Sequence, residues 1–168
     1  QATDQDYADV VRDLINALPK EMTLAHEEQL KEAKEAYNQL TNTQRNLLTF
    51  EYLLLNTLED QLNTLLEEQQ SKEISAQITA LPAIRDLTVA DKEAVLTVYE
   101  AYLALPYQQQ QAVDSRQLNR TVAALIELQI DALPASITEA DKPTLNEIRY
   151  LYQEADYKIQ SLVTNYNK

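Results

Sequence analysis

A chain of 168 residues without one glycine lacks the residue that most easily turns a backbone sharply. Average usage would place about 12 glycines in this length. Their absence takes the best residues from primed hairpin turns. It also excludes whole classes of chemistry. A Walker loop or a dinucleotide fingerprint needs glycines at fixed positions. The usual EF-hand loop needs one at its sixth position, and a nucleophile elbow needs two around its serine. What remains is rich in Leu, Ala, Glu, Gln and Lys, a composition that favours helices.

Such a chain must turn by other means, and three related stretches show how: "INALPKEMTLAHE", "ITALPAIRDLTVADK" and "IDALPASITEADK". Each sets an isoleucine three residues before a Leu-Pro pair, at Ile15, Ile78 and Ile130 before Leu18-Pro19, Leu81-Pro82 and Leu133-Pro134. A hydrophobe and a threonine follow, at Met22-Thr23, Leu87-Thr88 and Ile137-Thr138. Proline disfavours the α conformation in the residue before it, so an incoming helix ends near each leucine. Thr and Asp at a helix start accept hydrogen bonds from free backbone N–H groups, and Asp adds negative charge at the positive end of the helix dipole. Thr88 with Asp91 and Thr138 with Asp141 therefore read as restarts, with Met22, Leu87 and Ile137 tucked under the corners. Two details depart from the pattern. His26 holds the aspartate position in the first unit, followed by Glu27 and Glu28. In the third, Pro143 would fall at the fifth helical position if Thr138 were the cap, where its missing N–H would matter. Asp141 is accordingly the expected cap there, with Thr138 in a preceding turn.

After each threonine runs an apolar stripe at alternating three- and four-residue spacing, the signature of one helix face. The first is Leu30, Ala33, Tyr37, Leu40 and the second Val95, Val98, Tyr102, Leu105. The third is Leu145, Ile148, Tyr152, Ala155, continuing through Ile159, Leu162 and Tyr166. Residues 40–48 and 105–113 read as a turn plus a short helix. Two long helical patterns follow them: Phe50 to Leu81, through Leu54, Leu58, Leu62 and Leu65, and Ser115 to Leu133. Residues 66–73 are polar all round, yet no Pro or Gly interrupts them, so the first long helix is expected to be continuous. The closing helix of one unit then opens the next, as in helical repeat proteins. The expected fold is all-α, an elongated pair of tandem three-helix-type bundles sharing long connecting helices. The expected domains are 1–70, and 71–168 with a partial third repeat from 130.

The 45% apolar fraction is enough for a buried core. The net charge of −13 repels phosphate backbones, so nucleic acid is not an expected partner. No apolar run is long enough to cross a membrane, so membrane insertion is not expected either. Without cysteine there is no disulfide and no thiol chemistry. With Gln rather than Met at position 1, the chain reads as a processed or excised fragment, any signal or anchor lying outside it.

The pattern I-x-A-L-P, then hydrophobe-Thr-x-x-Asp-Lys, then a Tyr-x-x-Leu stripe and a Gln, resembles the helical repeats of Gram-positive bacterial cell-surface and wall-associated proteins. The likeness is strongest over Ile78–Val113, weaker over Ile15–Leu48 and partial over Ile130–Val163. Asp91-Lys92 and Asp141-Lys142 follow the pattern. The first unit departs from it with His26-Glu27, and the third lacks the Gln. The resemblance implies a spacer or adhesive module, extracellular and at the cell surface or wall, touching neighbouring repeats of its own chain.

Candidate chemistry is sparse. His26 is the only histidine, with no nucleophile or orienting acid suggested beside it. Glu28, Glu32 and Glu35 alternate with Lys31 and Lys34, which reads as a solvated face with ion pairs along the helix. No catalytic residue, metal site or cofactor is expected. Tyrosine is the notable excess, with 10 in the chain. Tyr37, Tyr102 and Tyr152 share one repeat position and belong to the stripe, whereas Tyr99, Tyr107, Tyr150 and Tyr157 fall off it. Surface aromatics are ordinary, so packing at a bundle edge is the plainer reading of these four. As a binding site they would offer amphipathic contact area to a protein or to a cell-wall or host glycan. The expected function is a non-catalytic structural and interaction module. A protein- or glycan-binding module using these tyrosines is the first alternative, a cytosolic helical adaptor the second, and a small acidic hydrolase a third.

Overall fold

The computed structural model describes residues 1–168 and is all-α, with no strand. The chain divides into two compact units, Gln1–Gln70 and Ser71–Lys168. No helix is long and apolar enough to cross a membrane. No residue has positive φ, so every reversal is made without the left-handed backbone that favours glycine.

The first unit holds α1 (Asp4–Asn16), α2 (Glu27–Asn38), the one-turn α3 (Asn42–Arg45) and the first part of α4 (Thr49–Thr79). Its core joins Ala8, Val11 and Ile15 of α1, Leu30 and Ala33 of α2, Leu48, and Leu55, Leu58 and Leu62 of α4. The buried register on α4 runs through Leu55 rather than the expected Leu54, which is only half-buried. Polar contacts reinforce the packing. Arg12 donates to Glu51 at 2.8 Å and to the Leu47 carbonyl at 2.9 Å. Lys34 pairs with Glu59 of α4 instead of with glutamates of its own helix, so the expected ion-pair ladder along α2 is replaced by a link between helices.

α4 runs unbroken through residues 66–73, most of which are exposed. Its last turns, α5 (Lys92–Leu103), α6 (Tyr107–Ala112), α7 (Arg116–Asp131), α8 (Lys142–Glu154) and α9 (Tyr157–Gln160) build the second unit. α7 is its centre: Leu118, Thr121, Val122, Ala123, Leu125, Ile126 and Gln129 are all buried, and α5, α8 and α9 all pack on it. Residues 118, 121, 122, 125, 126 and 129 recur at three- and four-residue spacing, one broad face of the helix, with Ala123 beside it. Thr121 is accommodated because its hydroxyl donates to the Gln117 carbonyl at 2.8 Å.

The three corners share one pattern, with an additional 3₁₀ turn at Ile84–Asp86 in the second. Leu18, Leu81 and Leu133 donate their amides to Ile15, Ile78 and Ile130 at 3.1, 3.2 and 3.1 Å, closing the helix just ahead of each proline. Each threonine then opens a 3₁₀ turn that runs into the next helix. The Asp91 carboxylate accepts from the Thr88 amide at 2.8 Å and from its hydroxyl at 3.2 Å. Asp141 does the same for Thr138 at 2.9 and 3.1 Å. As expected, Asp141 holds the N-cap position of α8 and Thr138 opens the preceding turn. The Asp141 carboxylate points back to Thr138 and makes no bond to the α8 amides. Pro143 consequently falls in the first turn of α8, where a missing N–H is harmless.

A second repeated device closes the Tyr-x-x-Leu helices. Gln110 donates to the carbonyls of Leu103 and Leu105 at 3.2 and 2.9 Å, and Gln160 to that of Tyr152 at 2.8 Å. Arg45 takes this role in the first unit, donating to the Asn38 carbonyl at 2.7 Å. The third repeat thus has its glutamine after all, at Gln160. Its stripe is not continuous, however. α8 ends at Glu154, Ala155 is extended, and the Asp156 carboxylate caps α9 by accepting the Lys158 amide at 2.8 Å.

The corners differ in cover. Met22 and Leu87 are buried as expected, but Ile137 is 48% exposed. The first two corners lie against a following long helix: the Gln61 side chain of α4 accepts the Met22 amide at 3.2 Å, and α7 packs on the turns around Leu87. The third corner has no such helix within these residues.

Candidate functional site

The structure treats the four singled-out tyrosines differently. Tyr107, Tyr150 and Tyr157 are 74%, 68% and 73% exposed. Tyr99 is 6% exposed and belongs to the core of the second unit, which corrects its placement off the core stripe and leaves it out of any exposed tyrosine set. Tyr107 and Tyr157 hold matching positions, each the first residue of a short helix. They do not meet the other two in a common groove.

Tyr99 and Tyr150 do share one, of about 460 Å³, between α5 and α8. Leu96 and Leu103 line it from α5 and Leu151 from α8, giving mainly apolar walls. Helical spacing explains the set, since residues three, four and seven apart share a face. Charge gathers at the groove as Glu100, Glu147 and Glu154 against the single cation Lys92. Lys92 is engaged with Glu147 at 2.7 Å across the two helices, which leaves Glu100 and Glu154 without a salt-bridge partner.

Gln129 of α7 reaches the groove from below. It is only 6% exposed, and its Oε1 atom is buried with no hydrogen-bond partner. A buried acceptor left unpaired destabilises by about 1–3 kcal/mol, so this atom is out of keeping with an otherwise apolar wall. Burial pushes the Tyr99 phenol above its ordinary pKa, with the nearby Asp156 carboxylate and Tyr102 acting in the same direction. The phenol is therefore neutral at physiological pH and able to donate a hydrogen bond. The neutral Tyr99 phenol, a free amide oxygen and unpaired carboxylates together can hold a ligand that combines hydrogen-bond donors with an apolar body.

His26 is accounted for differently. Its Nδ1 accepts the Thr23 amide at 3.1 Å and lies 3.2 Å from the Thr23 hydroxyl, so the ring serves the first corner. Glu28, Glu32 and Glu35 are exposed on α2. No three of the His, Asp and Glu side chains converge in a way that could hold a metal ion.

Sequence reasoning missed Gln129, Glu100 and Glu154. Gln129 left a trace, a polar residue inside the apolar run Leu125-Ile126-Glu127-Leu128-Gln129-Ile130. The glutamates left none, because only the approach of α8 to α5 distinguishes them from other surface acids. No family model, curated protein or solved structure matches this chain.

Proposed function

We propose that the chain is a non-catalytic structural and interaction module of a bacterial surface protein, a helical repeat that serves as a spacer or adhesive segment. The observation that carries this reading is the threefold repetition of one corner. Its most distinctive residues, Leu-Pro and Thr-x-x-Asp, are engaged in ending and restarting helices. A motif spent on backbone turns points to architecture as the repeated property. The resemblance of those corners to Gram-positive wall-associated repeats supports, by analogy, an extracellular place at the cell wall. Neighbouring repeats of the same chain are the expected structural partners, and a protein or glycan of wall or host the expected ligand.

Labelling of intact cells tests the location. Antibodies raised against residues 1–168 should stain unpermeabilised cells of the source bacterium. Staining only after permeabilisation would reject the surface assignment and favour a cytosolic helical adaptor.

A further inference from the structure

We infer that the groove between α5 and α8 binds a cationic side chain, Lys or Arg, presented by a basic peptide segment of a partner protein. The inference deepens the interaction reading above and rests on it, but not on where the chain resides.

Three independent features of the groove select that chemistry. The first is the buried Gln129 Oε1, an acceptor with nothing to accept from. A ligand that brings an N–H donor relieves the penalty of leaving it unpaired. Lys and Arg side chains carry donors only, three and five respectively. The second is charge. Glu100 and Glu154 are unpaired, and Glu147 already shares Lys92, so the groove carries net negative charge in a chain of net charge −13. A cation is drawn toward such a site, and an anion is kept out. The third is the apolar lining of Leu96, Leu103 and Leu151, which suits the methylene stem that Lys and Arg bury behind their charged ends. Tyr150, largely exposed beside these residues, offers a ring face for the cation.

A neutral sugar satisfies these features less well. It brings no charge to answer Glu100 and Glu154, and its hydroxyls need donors as well as acceptors, whereas the lone cationic donor, Lys92, is held by Glu147.

The test is a titration of the ¹⁵N-labelled chain with the peptide acetyl-Ala-Arg-Ala-Lys-Ala-amide, followed by NMR. A peptide of the same length with citrulline and acetyl-lysine in place of the two cations serves as the neutral control, and chitotriose as the sugar control. The expected shifts concentrate on the amides of Leu96–Leu103 and Glu147–Glu154 and on the Gln129 side-chain NH₂. The neutral peptide should bind about tenfold more weakly, and Glu100→Gln with Glu154→Gln should weaken the cationic peptide about fivefold, as loss of charge-assisted hydrogen bonds implies. Gln129→Met, close in shape, should also weaken binding while leaving the melting temperature unchanged or raised. Glu67→Gln with Glu68→Gln, on the exposed part of α4, should leave binding unchanged. No binding, binding reduced equally by the α4 pair, shifts spread evenly over acidic surface residues, or groove shifts with chitotriose alone would each overturn the inference.

Discussion

Nδ1 of His26 accepts the Thr23 amide at 3.1 Å, occupying in the first corner the place that the Asp91 carboxylate holds toward Thr88 at 2.8 Å in the second. An imidazole can accept there only as the tautomer protonated on Nε2. It lacks the negative charge that favours a helix start. His26→Asp should therefore stabilise the first unit by roughly 0.5–1 kcal/mol. Asp91→Ala should destabilise the second by about 1 kcal/mol. Urea unfolding followed by circular dichroism measures both. A less stable His26→Asp protein would show that the two corners are not equivalent.

Leu87 and Ile137 hold the same repeat position with opposite burial, 5% and 48% exposed. Truncating a fully buried leucine typically destabilises by about 2–5 kcal/mol, whereas exposed substitutions usually stay within about 0.5 kcal/mol. Leu87→Ala should fall in the first range and Ile137→Ala near the second, read from chemical denaturation midpoints. Equal losses would mean that the third corner is covered as the second is.

The contrast marks where sequence stops being informative. Corners were legible because their chemistry is local: a proline acts on the residue before it, and a threonine meets a partner three residues on. The unbroken α4 followed from the absence of any helix breaker between Leu65 and Ile74. Ile137 and Tyr99 were misplaced because their burial depends on distant elements. Tyr99 sits one step beyond the Val95–Val98–Tyr102 stripe, and α5 buries a wider face than that stripe implies. The segment after Glu154 contributes to this, bringing Asp156 close enough to act on the Tyr99 phenol. No spacing within α5 encodes that approach, and the same holds for the groove that Glu100 and Glu154 both line.

Gln110 closes its helix by donating to the Leu105 carbonyl, and Gln160 by donating to that of Tyr152, which also accepts the Ala155 amide. A net side-chain hydrogen bond contributes about 0.5–1.5 kcal/mol. Gln110→Ala and Gln160→Ala should each destabilise by about that amount. Amide exchange near Ala104 and Ala155 should accelerate in the respective variants. Unchanged exchange would assign the closing of these helices to the backbone alone.

Acid should weaken the fold through identifiable carboxylates. The Asp114 carboxyl is lowered from 3.8 to about 2, chiefly by the hydrogen bond from the Arg116 side chain. Asp6 is lowered by its hydrogen bonds with the Thr3 backbone and side chain, and Asp131 by those from Lys168 and Asn165. A carboxyl whose pKa is depressed on folding contributes stability above its unfolded value, and that contribution is lost as pH falls through the folded value. Stability should accordingly decline as pH drops from about 4 toward 2. Asp114→Asn should flatten part of that decline. Because the Asp114–Arg116 pair is solvent-exposed, added salt should shrink its share. An acid limb identical in wild type and Asp114→Asn would remove this pair from the account.

Small-angle X-ray scattering from residues 1–168 tests the spacer reading most directly. A compact globule of 168 residues has a radius of gyration of roughly 15 Å. The proposed spacer should give a clearly larger radius and a distance distribution with a long tail. A radius near the globular value, with a symmetric distribution, would contradict the account.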